Sequence, residues 1–175
     1  SFLVNLTCKT PIHTNLSLNE IYAQATGKYK VFFKNKFVCF SPETFIKIQA
    51  DSIFSYPMKG TIEADLPNAR EILLNDPKEL AEHITIVDLI RNDLSIVAEQ
   101  VELSTFRFVT EVKTQAKNLL QVSSEIKGKL MPHFCSKIGT IIFSLLPAGS
   151  ISGAPKDKTV NIIEEVEESD RGFYT

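Results

Sequence analysis

Hydrophobic and polar positions alternate along several stretches of the chain, as they do in β-strands. LVNLT, residues 3–7, sets Leu3 and Asn5 on one face and Val4 and Leu6 on the other. KYKVFF and FVCF, joined by the turn KNK, predict a hairpin. LLQVSSEI predicts a further strand, and SIFSY is a β-type run leading into PMKGT.

Other stretches carry helix signals. The capping box at Ser17 and Glu20 predicts a short helix ending at Gly27. Ser41, followed by a proline, has the form of an N-cap and predicts a helix at SPETF. The sequence pattern predicts three more helices. They cover residues 67–75, HFCSKIGTIIFSLL, which is expected to be buried, and KDKTVNIIEEVEE.

The longest predicted helix begins at Pro77 and runs through PKELAEHITIVDLIRNDLSIV. Apolar residues recur along it at helical spacing, which predicts one buried face: Leu80, Ile84, Val87, Ile90 and Leu94. A Gly/Pro/Ser loop, PAGSISGAPK, precedes the last helix. Strands and helices are mixed without a strict βαβ rhythm, so we predict an α+β fold with largely antiparallel strands, in one domain over residues 1–175.

Composition narrows the class of protein. The 175 residues are 43% hydrophobic and 23% charged, as in an ordinary globular protein, and the net charge of -2 argues against a nucleic-acid partner. Three widely spaced cysteines form neither a metal motif nor a disulfide framework, and no run reaches membrane length, so we expect a cytoplasmic protein. The chain opens at SFLVNLT without Met and ends at RGFYT, where another strand is expected to begin, so we expect part of a longer polypeptide.

Lys59 is the first candidate for chemistry. It lies in PMKGT, where Gly60 permits close backbone approach and Thr61 offers a hydroxyl. A lysine becomes a nucleophile when its amine loses its proton. The alternative is a solvated lysine in a turn.

Acidic residues form a second group of candidates. Glu43, in SPETF, is either a charge at a helix end or a general acid, and the second role needs burial. Glu79 and Glu82 are three apart on one helix, so both carboxylates face the same way and suit Mg²⁺. Alternatively, Glu79 complements the helix N-terminus while Glu82 and His83 are solvated.

The loop GSISGAPK is a candidate anion site. Its small residues, among them Ser150, Ser152 and Gly153, expose backbone N–H groups just before a helix. The phosphate-binding pattern GxxxxGK[ST] is absent, so a carboxylate or a purely structural loop fits better than a nucleotide phosphate.

Together and in this order, PMKGT, DPKELAEHITIVDLIRNDL, GSISGAPK and RGFY resemble the chorismate-utilising enzymes. That family includes anthranilate synthase and aminodeoxychorismate synthase component I and the isochorismate and salicylate synthases. The resemblance implies an antiparallel β-sandwich core flanked by helices, with the active site in a cleft. The lysine of PMKGT is similar to that of the aminodeoxychorismate synthases, whereas anthranilate synthases have alanine there.

The resemblance also implies roles for individual residues. Lys59 would attack C2 of chorismate, Glu43 would protonate the departing C4 hydroxyl, and ammonia from a glutaminase partner would then add at C4. Glu82 would bind Mg²⁺ with help from Glu79. A further set would contact substrate: Gly60, Thr61, Ser152, Gly153 and Tyr174.

Two positions depart from the family pattern. Leu3 stands where the water-using branch has a lysine, which argues against isochorismate and salicylate synthases. Gln121 stands where many relatives have His. The family's later arginine strand, GAGIV-like loop and further metal-binding glutamates do not follow Tyr174, so we expect this segment by itself not to turn over chorismate. The alternatives are anthranilate synthase component I, an isochorismate or salicylate synthase, or a non-catalytic glutaminase-binding fragment.

Overall fold

The computed structural model describes residues 3–114 and 117–174. Within these ranges the chain forms short and long strands, six α-helices and one 3₁₀ turn at Pro132–Phe134. The elements are β1 (Leu3–Val4), α1 (Leu18–Gln24), β2 (Tyr29–Phe33), β3 (Phe37–Ser41), β4 (Lys47–Gln49), β5 (Ser52–Ser55), β6 (Met58–Glu63), α2 (Ala69–Asn75), α3 (Pro77–Leu94), β7 (Ala98–Lys113), β8 (Asn118–Leu130), α4 (Ile138–Leu145), α5 (Gly149–Ser152), β9 (Gly153–Ala154) and α6 (Lys156–Val166).

The main sheet is organised around β8. One edge of β8 pairs with β5 and then with β6, and its other edge pairs with β7. β4 extends the sheet beyond β5, while β2–β3 and β1–β9 form two small separate pairs. Every described pairing is antiparallel, so the predicted α+β fold with antiparallel strands is confirmed.

The core lies between this sheet and α3. Alternate residues of β8 face the helix, and Val122, Ser124 and Ile126 on that face are fully or almost fully buried. Ile86 and Leu94 of α3 pack in one cluster with Ile126. Each apolar side chain buried in this way contributes about 1.5–3 kcal/mol. The packing holds α3 against the sheet face that carries Lys59.

Several local predictions are confirmed. The Ser17 hydroxyl accepts the Glu20 N–H, and the Glu20 carboxylate accepts the Ser17 N–H, as a capping box requires. The helix that this box starts ends at Gln24, earlier than Gly27. The hairpin is β2–β3, and α3 begins at Pro77 with Asp76 as its N-cap.

The predicted helix at SPETF is wrong. Ser41 is the last residue of β3, and its hydroxyl accepts the N–H of Glu43 at 3.1 Å. This local turn satisfies the backbone without a helix, because a serine side chain competes with helical hydrogen bonding. Glu43 therefore lies on a connection between β3 and β4.

Burial along the helices also differs from expectation. Ile84 is 50% exposed, whereas His83, which was paired with Glu82 as a solvated alternative, is 0% exposed. Val87, Ile90 and Leu94 of the predicted apolar stripe are buried, which confirms the second half of the stripe. In the first half the buried positions are His83 and Ile86 instead of Ile84. The helix in HFCSKIGTIIFSLL is shorter than predicted and not buried throughout, since Phe143 is 79% exposed.

The sequence pattern predicted no element over β7, the longest described strand. Its register against β8 shifts three times, and Gln100 and Arg107 have positive φ. Each β-bulge interrupts the two-residue alternation that identifies a strand. Elsewhere, only Leu3–Val4 of LVNLT form a strand, and PMKGT lies in β6 from Met58 onward rather than in a turn. Part of the PAGSISGAPK loop forms α5 and β9, and residues 171–174 form a turn rather than the start of a strand.

None of the helices in the described ranges combines the length and the apolar character needed to cross a membrane.

Candidate active site

A polar cleft of about 440 Å³ lies between β6, α3 and the β3–β4 connection. Its volume falls within the range of about 300–1,000 Å³ that small-molecule sites occupy. Most of the candidate residues from PMKGT, SPETF and α3 line this cleft: Glu43, Lys59, Gly60, Thr61, Glu79 and Glu82. Segments that are separate in sequence are thus brought together.

A β-bulge at Gly60 shapes the wall that carries Lys59. Lys59 pairs with Val122 and Thr61 with Gln121, so Gly60 is the extra residue between them. Cross-strand partners share a face, so Lys59 lies on the α3 face and Thr61 on the opposite one. Gly60 has φ +81°, and an added Cβ would lie 3.1 Å from both the Glu79 carboxylate and the Leu73 side chain. Glycine is therefore required here by conformation and by space.

Lys59 and Glu82 form an ion pair across the cleft. The Lys59 Nζ lies 3.8 Å from Glu82 Oε2, and the two side chains are 28% and 32% exposed. Lys78, one turn before Glu82 on α3, approaches its other carboxylate oxygen at 3.9 Å from the exposed side. Glu82 thus directs one oxygen at the cleft lysine.

Glu79 and Glu82 are the candidate metal ligands of this cleft. Both carboxylates line the cleft, and Mg²⁺ is commonly held by one or two carboxylates together with waters and substrate oxygens. Over residues 3–114 and 117–174, no group of three or more His, Cys, Asp or Glu side chains is arranged to hold a metal ion. The donor set therefore fits a hard cation that also binds substrate, rather than a fully protein-enclosed one.

Glu43 is a half-buried carboxyl in the same cleft. Burial raises its pKa to about 7, against the opposing effect of the positive charge on Lys59. No helix begins at this point, so there is no helix dipole to stabilise the carboxylate. At neutral pH a large share of Glu43 is protonated, which a general acid requires.

Two further polar residues line the cleft, and neither was assigned a substrate contact from the sequence. Gln121 lies beside Thr61 on the sheet, and Ser150 reaches the cleft from α5. Gln121 was noted only as a departure from a family pattern. Ser150 lies in the predicted anion loop, but the sequence does not reveal which of its serines faces the cleft.

The structure does not bring Ser152 and Gly153 to the lining of this cleft. The Ser152 hydroxyl is buried and donates to the Ala148 carbonyl oxygen at 3.1 Å. Gly153 pairs with Val4, and a Cβ there would collide with the Leu3 carbonyl oxygen. In this structure both residues shape the loop that carries Ser150.

Tyr174 lies at a different cavity. It is 53% exposed and lines a pocket with Arg171, Ile151 and the segment after β1. Arg171 binds Glu167 and the carbonyl oxygens of Asn5 and Ile151, which ties the end of α6 to that segment. The assignment of Tyr174 as a substrate contact has no support from this geometry.

Proteins of known sequence resemble this chain over much or all of its length. An uncharacterized PabA-like protein from Pasteurella multocida is 54% identical over 175 residues, covering 100% of this chain and 54% of its own length. A PabA-like protein from Haemophilus influenzae has the same identity, with 53% of its length covered. Anthranilate synthase component 1 from Archaeoglobus fulgidus is 35% identical over 140 residues, covering 77% of this chain and 32% of its own length.

Among solved structures, anthranilate synthase component I from Streptococcus pneumoniae aligns with a TM-score of 0.67 and 28% identity, covering 86% of this chain and 34% of that one. A putative isochorismate synthase from Bacillus anthracis shares the fold, with a TM-score of 0.59 at 24% identity over 77% of this chain and 36% of that one. The chain spans about half the length of the two PabA-like relatives. The family model described as chorismate binding enzyme matches residues 1–175, and the chain therefore belongs to the chorismate binding enzyme family.

Proposed function

We propose that the protein is the synthase component that converts chorismate and ammonia into 4-amino-4-deoxychorismate. The observation that carries the proposal is the presence, in one cleft, of the Lys59 amine and a Glu43 carboxyl whose pKa is raised to about 7. The first is a nucleophile and the second a proton donor, and the reaction needs both.

In the first step the Lys59 amine, once its proton has passed to solvent, forms a bond to C2 of the chorismate ring. Both ring double bonds shift, from C1=C2 and C5=C6 to C1=C6 and C4=C5, the C4–O bond breaks, and the hydroxyl leaves as water with the Glu43 proton. In the second step ammonia forms a bond to C4, both double bonds shift back, and the C2–N bond breaks to release the lysine. The new C4 ammonium then returns a proton to Glu43. Two displacements with good leaving groups replace one direct displacement of hydroxide.

The charge of the cleft supports a magnesium requirement. With Glu43 protonated, Lys59 contributes one positive charge, while Glu79 and Glu82 contribute two negative charges. Chorismate is a dicarboxylate and would be repelled by the two glutamates. A divalent cation on Glu79 and Glu82 would supply the positive charge that holds a substrate carboxylate against them.

Anthranilate formation is the second candidate, and the 35% identity to an anthranilate synthase component 1 favours it. The two reactions differ in their product. Anthranilate has lost the enolpyruvyl group, whereas 4-amino-4-deoxychorismate retains it. The name of the two PabA-like relatives agrees with para-aminobenzoate synthesis.

The test is product analysis with the full-length protein, chorismate, Mg²⁺ and ammonium. We expect 4-amino-4-deoxychorismate by mass spectrometry, and glutamine should replace ammonium when a glutaminase partner is present. Anthranilate or isochorismate as the product would reject the proposal, and binding of glutaminase without any turnover would favour the non-catalytic alternative.

The covalent step is tested with Lys59→Ala. We expect the trapped enzyme–substrate adduct to disappear and amination to fall by at least about 10²-fold, since the nucleophile is gone. Lys78→Ala is the matched control, because Lys78 also contacts Glu82 but lies 79% exposed outside the cleft. An adduct that survives in Lys59→Ala would place the nucleophile elsewhere.

A further inference from the structure

A fully buried histidine lies directly beside Glu82 and has no part in the proposed reaction. His83 is 0% exposed, and its Nε2 lies 2.7 Å from the Ser124 hydroxyl on β8. Its other ring nitrogen has no hydrogen-bond partner among the described residues. The contact with Ser124 is therefore the polar interaction that links this side chain to the sheet.

Ser124 connects more than one element. Its hydroxyl also accepts the backbone N–H of Arg107 on β7 at 2.9 Å, so one oxygen joins α3, β8 and β7. The serine itself is 0% exposed. Hydrogen bonds between buried polar groups are directional, and losing one partner leaves the other unsatisfied at a cost.

Arg107 extends the network to α2. Its guanidinium donates to the carbonyl oxygens of Leu73 and Leu74, in the last turn of that helix, at 3.1 and 2.7 Å. A cation at a helix C-terminus is favourable because it satisfies carbonyl groups and opposes the helix dipole. The Leu73 side chain in turn packs over Gly60, beside the Glu79 carboxylate.

This hydrogen-bond network lies on the sheet face that carries Lys59. Ser124 lies two residues from Val122, the cross-strand partner of Lys59, so Ser124 and Lys59 share the α3 face of the sheet. Glu82 directly precedes His83 on α3. Any rotation or shift of α3 that broke the His83–Ser124 hydrogen bond would also move Glu82 relative to Lys59.

We propose that His83 is a positioning residue that fixes the rotation of α3 through its hydrogen bond to Ser124. That rotation places the Glu82 carboxylate beside Lys59 and the Glu79 carboxylate over Gly60. The effect on catalysis rests on the proposed function. Displacement of a catalytic group by about 1 Å can cost roughly 10²-fold in rate. The distance that we expect to change is the 3.8 Å between Lys59 Nζ and Glu82 Oε2.

The test uses Ser124→Ala, Ser124→Thr and His83→Phe in the full-length protein. Ser124→Ala and His83→Phe should each lower kcat by about 10²-fold and raise the Mg²⁺ concentration for half-maximal activity. Ser124→Thr keeps the hydroxyl and should stay within about threefold of wild type. His133→Gln, on the exposed 3₁₀ turn, controls for the loss of a histidine and should leave kcat and the Mg²⁺ requirement unchanged.

A purely structural role predicts a different result. In that case the folded fraction falls in Ser124→Ala, while kcat per folded molecule and the Mg²⁺ requirement stay at the wild-type values, which would overturn the proposal. If His83→Phe does not fold, the Ser124→Ala and Ser124→Thr pair decides.

A second readout does not depend on the reaction. A metal-free crystal structure of Ser124→Ala should show the Lys59 Nζ–Glu82 Oε2 distance increased by about 1 Å, the displacement that matters for catalysis. An unchanged distance would overturn the positioning role. If the wild-type protein makes no 4-amino-4-deoxychorismate, the proposed function fails, and this distance alone decides the positioning role.

Discussion

Replacing the Glu43 carboxyl by an amide gives a quantitative prediction. Glu43 ionises near pH 4.5 in an unfolded chain, and burial in the cleft raises its pKa to about 7. At about 1.4 kcal/mol per pKa unit, the folded protein disfavours the ionised carboxylate by roughly 3 kcal/mol. Because Glu43 is only half-buried, solvent screening reduces this figure, and we expect about 1–3 kcal/mol.

The sign of the pH dependence follows from the raised pKa. Below pH 4.5 the carboxyl is protonated in both the folded and the unfolded protein, and it adds no pH dependence. Between pH 4.5 and about 7 the unfolded chain loses its proton first, so the free energy of unfolding falls as pH rises. Glu43→Gln removes this loss. The unfolding free energy of the variant minus that of wild type should therefore increase by about 1–3 kcal/mol from pH 4 to pH 8.

The assay is denaturant unfolding of wild type and Glu43→Gln at both pH values. Any packing cost of the amide is the same at both pH values, so it cancels when the stability difference at pH 4 is subtracted from that at pH 8. Glu165→Gln, an exposed position on α6, controls for the removal of one carboxyl group. If the stability difference between wild type and Glu43→Gln is the same at pH 4 and pH 8, the raised pKa of Glu43 is excluded.

The opposing charge of Lys59 gives an independent test. Because Lys59 lowers the pKa of Glu43 against the effect of burial, Lys59→Ala should raise that pKa above about 7. An NMR titration of the Glu43 carboxyl carbon measures it directly. A titration near 4.5 in wild type, or a lower value in Lys59→Ala, would refute the reasoning. In the active enzyme we expect kcat to fall as pH rises above about 7, as the acid loses its proton.

Two further substitutions separate stability from chemistry. Glu82→Ala removes a partly exposed ion pair and should lower the unfolding free energy by less than about 1 kcal/mol. It should nevertheless sharply raise the Mg²⁺ concentration needed for activity. An unchanged Mg²⁺ titration would show that Glu82 is not a metal ligand. Gly60→Ala introduces a Cβ 3.1 Å from Glu79 and Leu73 at a positive φ, and should destabilise by about 1–3 kcal/mol in denaturant unfolding. Wild-type stability in Gly60→Ala would mean that the bulge tolerates a side chain.

The sequence by itself determined the features that depend on neighbouring residues. The capping box at Ser17, the β2–β3 hairpin and the start of α3 at Pro77 all form as predicted. Their hydrogen bonds and backbone preferences act within a few residues, so they can be read locally. Four ordered motifs likewise identified the chorismate-utilising family, which the family match confirms.

Tertiary structure decided what depends on sheet register and packing. β7 was missed because its bulges interrupt the alternating pattern. On α3 the second half of the buried stripe was predicted correctly, but Ile84 is exposed and His83 is buried, because contact with the sheet selects the buried positions there. The cleft brings Lys59, Glu43 and Glu82 together but takes Ser150 rather than Ser152 from the loop. Burial of Glu43 and of His83 depends on residues distant in the chain, and local spacing carries no information about that desolvation.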